Sequence, residues 1–118
     1  MVAVISHVVL LTPRADLTLD ERRGFVALFE RTLREIPSVR GVRIGRRVAH
    51  GAAYESLARD GFEFVATIDF DDLAGLQAYL RHPAHHALGA RFYETLSAAA
   101  VYDFEMSGID GLQRLTDP

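Results

Sequence analysis

The segment Leu80-Arg81-His82-Pro83-Ala84-His85-His86-Ala87-Leu88-Gly89 gathers three of the chain's five histidines around a proline. Three kinds of chemistry could use it. A neutral imidazole, with a reference pKa of about 6.5, can take a proton from carbon or oxygen near neutral pH. His82 and His86, four apart, could hold a transition metal if they shared a helix face. Alternatively, the side chains could serve only the backbone where one helix stops and another begins. Pro83 breaks the regular four-residue facing, and the segment has no Asp or Glu to complete a ligand set, so no metal is expected. His82 is expected to serve the helix end, where a cation is also favoured. His86 is expected in solvent.

That leaves His85. Tyr79 lies six residues before it, and the turn at Pro83 lets both side chains face one cavity. A phenol there could donate a hydrogen bond to an enolate oxygen while the imidazole takes the proton. No carboxylate is evident to orient the His85 ring. The competing reading makes Tyr79 a core residue and His85 a backbone cap. His7 alternates with Ile5, Val9 and Leu11 on one strand face, either as a satisfied core histidine or as a cavity member. Phe25, Phe29, Phe62, Phe64, Phe70 and Phe92 could line an apolar cavity or simply fill the core.

The elements that must position these residues follow from periodicity. Residues 2–11 are almost continuously apolar and β-branched, as in a strand covered on both faces. Thr18-Leu19-Asp20-Glu21 has the form of a capping box, and Phe25, Leu28, Phe29, Leu33 and Ile36 follow at helical spacing up to Pro37. Val42, Ile44 and Val48 alternate with polar or small residues, giving a second strand; residues 50–60 read as a long connection. From Gly61, Phe62, Phe64, Ala66, Ile68 and Phe70 point one way along a third strand. Asp71-Asp72 can cap a helix carrying Leu73, Leu76, Tyr79 and Leu80, which Pro83 stops. Ala84, Ala87, Leu88, Phe92 and Leu96 continue as a helical segment. A last strand puts Ala100, Tyr102, Phe104 and Met106 on one face. The order β-α-β-β-α-β predicts an α+β, ferredoxin-like fold: a four-stranded antiparallel sheet with helices on one face. The first strand's other apolar side, with Val65 and Val101, then needs a cover, most simply a second copy in a twofold dimer.

Bulk properties narrow the function classes. The chain has 118 residues and a net charge of −3, with all thirteen bases arginine and no lysine. No basic run has the density of a phosphate-binding patch, so nucleic acid is not an expected partner. The absence of cysteine excludes disulfides, thiolate catalysis and Cys-ligated metal centres. There is no secretory-leader pattern and no apolar run long enough for a membrane span, so a cytoplasmic protein is the expectation.

Several segments together carry a resemblance: Ser6-His7-Val8-Val9-Leu10-Leu11, Glu35-Ile36-Pro37-Ser38-Val39, Gly61-Phe62-Glu63-Phe64, Ala78-Tyr79-Leu80-Arg81-His82-Pro83-Ala84-His85, and Val101-Tyr102-Asp103-Phe104-Glu105. Over residues 3–106 the chain resembles the stress-responsive dimeric α+β barrel (Dabb) family. The resemblance implies a domain over residues 1–107 with a tail at 108–118, and a homodimer in which two sheets pack into a barrel. It implies a cavity between each sheet and its helices, with no cofactor. Carried over from a polyketide-cyclising member, it makes His85 and Tyr79 catalytic and places His7 near the cavity as a substrate-binding residue. Phe29 and Phe64 stand where that member has a tyrosine and a histidine, so two substrate-binding positions have lost their polar groups. The implied activity is cyclase- or lyase-type proton transfer on a small apolar carbonyl or aromatic compound. The alternatives are a non-catalytic ligand-binding or stress-protection protein and a cofactor-free monooxygenase.

Overall fold

The computed structural model describes residues 4–58 and 61–117. Strand β1, Val4–Pro13, leads to helix α1, Leu19–Glu35, and strand β2, Gly41–Arg46. A 3-10 turn at Ala53–Ala58 precedes β3, Phe64–Phe70; then come α2, Leu73–Arg81, α3, Pro83–Thr95, and β4, Leu96–Met106. The sheet order is β2-β3-β1-β4, with every pairing antiparallel. This is the ferredoxin-like α+β fold expected from the sequence. Val2 and Ala3, assigned there to the first strand, lie outside the described residues.

Alternation assigns the two faces. Val9, Leu11, Ala66, Ile68 and Phe70 are buried against Phe25 of α1, Ile36 just after it, Leu76 and Tyr79 of α2, and Leu88 of α3. The capping box forms as the sequence requires: Thr18 Oγ1 accepts from the Glu21 N–H at 3.1 Å, and Glu21 Oε1 accepts from the Thr18 N–H at 3.2 Å. The cap fixes where α1 starts, and therefore which of its faces presents Phe25 and Phe29 to the sheet.

Some details differ from the expectation. β2 ends at Arg46, and Val48 is exposed beyond it. Phe62 precedes β3 instead of opening it. Leu96 starts β4: its N–H closes the last turn of α3 onto the Phe92 carbonyl, and its own backbone is already extended. Val101 pairs with Val9 and so shares the helix-side face, whereas Val65 pairs with Leu10 on the open face. One residue of register moves a side chain to the opposite face, and the apolar run around Val101 does not reveal which face is which. Residues Ile109–Thr116, expected as a tail, form a 3-10 helix.

The open face carries Val8, Leu10, Val65, Tyr102, Phe104 and Met106, with Tyr102 56% exposed. The molecule measures 46 × 40 × 21 Å and exposes 8530 Å². A self-contained globular protein of 13.1 kDa exposes only about 6400 Å².

Candidate active site

Pro83 sets the local geometry. It occupies the first turn of α3, where its missing N–H costs nothing, and the preceding His82 is driven to extended backbone. His82 therefore ends one helix and begins the next. Its N–H donates to the Tyr79 carbonyl at 3.2 Å, and its Nδ1 accepts from the Ala84 N–H at 3.0 Å. The expectation that His82 serves the preceding helix end is half of its role; its ring caps the following helix. His86 is exposed. Among the described residues, no three His, Asp or Glu side chains gather as a metal-ligand set.

The kink brings His85 back over Tyr79. Their ring centroids are 4.7 Å apart at 60°. On its other side Tyr79 meets His7 edge to face, at 5.6 Å and 64°, and Phe70 at 5.2 Å. His7, Tyr79 and His85 therefore form one cluster between β1 and the α2–α3 break. Thr32, buried on α1, donates to the Leu28 carbonyl at 2.8 Å and reaches the Ala84 carbonyl at 3.4 Å, tying α1 to the turn that carries His85.

His7 has a carboxylate partner that sequence reasoning missed. Its Nδ1 lies 2.6 Å from Asp103 Oδ1 across the β1–β4 ladder, where the two residues are paired directly. His7 is 5% exposed, while the Asp103 side chain is 41% exposed on the edge strand. The signal available in the sequence was the alternation of Val101, Asp103 and Glu105. It becomes informative only once the register places Asp103 opposite His7.

Burial controls the electrostatics. Tyr79, 1% exposed, has its phenol pushed up to about 12, because no nearby group compensates the desolvated phenolate. Its hydroxyl makes no hydrogen bond among the described residues, so it is a free donor. His85 is held below the ordinary imidazole range, first by burial and then by the neighbouring His7 and His86; the Leu80 backbone opposes this weakly. Near neutral pH the cluster thus contains a neutral imidazole beside a protonated phenol.

Phe29 and Phe64 lie elsewhere, in a cleft of about 830 Å³ between α1 and the β2–β3 side of the sheet. Leu11, Phe25, Leu33, Val42 and Ile44 share its apolar wall, with Arg22, Arg34 and Arg40 among the lining residues. His7, Tyr79 and His85 are not part of that lining. Phe29 and Leu33 stand between the two regions, lining the cleft while packing against the core group that contains Tyr79.

Comparison with known proteins agrees with this architecture. The family model described as Stress responsive A/B Barrel Domain (Dabb) matches residues 5–106, and the chain belongs to that family. Among solved structures, it is similar to a hydroxynitrile lyase from Passiflora edulis, with TM-score 0.77 and 17% identity over 92% of this chain and 97% of that one. It is also similar to a dimeric ferredoxin-like protein of unknown function from Thermobifida fusca, with TM-score 0.67 and 21% identity over 88% and 92%. A Dabb family protein from Mesorhizobium loti gives TM-score 0.69 and 20% identity over 90% and 99%. No curated protein matches the chain.

Proposed function

We propose that the chain is a homodimeric enzyme that moves a proton on a small apolar carbonyl compound without a cofactor, by cyclase- or lyase-type chemistry. The observation that carries this reading is the Tyr79 ring packed 4.7 Å from the His85 ring in a largely buried cluster. His85 takes a proton from carbon next to the carbonyl; the C–H electron pair passes to the carbonyl oxygen, and Tyr79 donates a hydrogen bond to that oxygen. The enolate then recovers a proton or attacks a second carbonyl. Asp103 holds His7 in one orientation against the Tyr79 ring, so His7 acts as a positioning residue. Phe29, which packs against the core group holding Tyr79, would wall the apolar part of the substrate, while Phe64 lies in the separate cleft. The fold supports lyase chemistry in the hydroxynitrile lyase from Passiflora edulis. The test is deuterium exchange from heavy water into a panel of aryl and alkyl ketones, comparing the wild type with His85→Ala and Tyr79→Phe. Undiminished exchange in both variants would remove the assignment.

The dimer part of the reading rests on surface area. The excess of roughly 2000 Å² over a self-contained monomer exceeds the ~800 Å² per partner of an ordinary interface. The Thermobifida fusca protein of this fold is described as dimeric. The open apolar sheet face is where a second copy would sit.

A second reading has its own observation. The cleft holding Phe29 and Phe64 contains neither His85 nor Tyr79 in its lining, which favours a protein that only binds an apolar ligand. Saturable binding of an alkyl-chain probe without chemical change in it would support that reading, and product in a mass-spectrometric screen would end it.

A further inference from the structure

The 3-10 helix Ile109–Thr116 lies beyond the residues that match the family model. Its sequence has a strict period of three. Ile109, Leu112 and Leu115 form one row, Asp110, Gln113 and Thr116 a second, and Gly111 and Arg114 a third. A 3-10 helix turns once every three residues, so each row lies along one side of the helix. Such helices seldom exceed three or four residues, because their hydrogen bonds are poor. An eight-residue example with a fully apolar row points to packing that holds it.

Within its own chain, the helix is held by the third row. Arg114 Nη1 donates to the Glu105 carbonyl at 3.3 Å and lies 3.4 Å from its carboxylate. Gly111 leaves no room for a Cβ beside Ser107. The apolar row is left uncovered, with Ile109, Leu112 and Leu115 at 81%, 58% and 83% exposure. In sequence it follows the exposed Tyr102, Phe104 and Met106 of β4 after the short link at Ser107-Gly108.

We infer that the Ile109–Leu112–Leu115 row packs against a second copy of this chain and extends the contact begun by the open sheet face. This rests on the dimer reading above. Two observations select a second copy as the occupant. The apolar row follows the open-face residues Tyr102, Phe104 and Met106 directly in sequence, and the excess exposed area is larger than an ordinary interface requires. The helix then acts as a clasp that tightens a dimer whose core the sheets provide.

The experiment is a dilution series of the full chain by mass photometry and sedimentation equilibrium. Leu112→Asp is expected to raise the dimer dissociation constant at least tenfold, and Leu112→Ala should shift it in the same direction by less. Gln113→Asp, on the polar row, should leave it within twofold. Circular dichroism should be unchanged in all three, because each position is exposed within its own chain. A photoreactive group at position 112 should give a covalent product of twice the chain mass. If Leu112→Asp dimerises as tightly as the wild type, the clasp is wrong and the dimer stands. If the full chain is monomeric at tens of micromolar, both fail.

Discussion

The His7 imidazole and the Asp103 carboxylate meet at 2.6 Å across the β1–β4 ladder, joining a buried ring to an edge-strand carboxylate. The pair occupies Nδ1 and leaves Nε2 as the nitrogen His7 can turn to other partners. Tyr79 packs against the same ring, so its position depends on the pair.

Asp103→Ala should cost about 1–3 kcal/mol of stability, because it strips a buried ring of its partner. Asp103→Asn keeps the shape and one hydrogen bond, and should cost less. In a proton-exchange assay both should lower turnover more than they raise KM, since the pair positions the site and does not hold the substrate. Urea unfolding and steady-state kinetics read the two effects separately. Turnover equal to wild type in Asp103→Asn would show that the pair is structural only.

The pH dependence follows from the two shifted groups. His85 is depressed in the fold, so between its folded value and the ordinary 6.5 the unfolded chain binds more protons. Stability should therefore rise with pH through that window and level off above it. Tyr79 is raised from 10.0 to about 12, so above pH 10 the folded chain holds the extra proton and stability falls as pH rises. The loss should be on the order of 2 kcal/mol by pH 12. Thermal melting from pH 4 to 11 checks the first window and the onset of the second. Tyr79→Phe should abolish the alkaline contribution from this residue and leave the acidic limb.

Phe29 packs edge to face with Phe25 at 5.7 Å and with Phe92 at 5.8 Å, and borders both the cleft and the Tyr79 region. Phe29→Ala should cost roughly 2–4 kcal/mol, less than a fully enclosed phenylalanine, because the cleft already opens beside it. It should also join the cleft to the histidine–tyrosine cluster and admit bulkier ketones. Phe29→Tyr should be nearly neutral in stability and favour ligands with a polar group at that point. Denaturant midpoints and a substrate-size series measure both.

Tyr102 and Val65 lie on the open sheet face. Val65→Asp, beside Leu10 on that face, should convert a dimer to a folded monomer, as light scattering at micromolar concentration would show. An unchanged molecular mass would mean that this face does not make the contact.

Much of the fold was legible in local patterns. The capping box at Thr18, the alternation from Phe64 to Phe70 and the break at Pro83 each depend on residues near in sequence, and each formed where its spacing placed it. What could not be read depended on register. Val101 and Val65 both look like members of an uncovered face, yet only strand pairing shows that Val101 faces the helices. Asp103 was invisible as a partner of His7 for the same reason, since the two are 96 residues apart. The closeness of His7, Tyr79 and His85 was anticipated through family resemblance. Their separation from the Phe29–Phe64 cleft was not, because it depends on how far α1 stands off the sheet.

The central claim is that His85 removes a proton from carbon while Tyr79 holds the oxygen. The most direct measurement is the rate of deuterium incorporation next to the carbonyl of the ketone that exchanges fastest with wild type. His85→Ala should lower that rate by two to four orders of magnitude, and Tyr79→Phe by roughly 10²–10³. Wild-type exchange should also rise with pH and then level off, with its midpoint below the ordinary imidazole value of about 6.5. Exchange that persists undiminished in both variants would contradict the account.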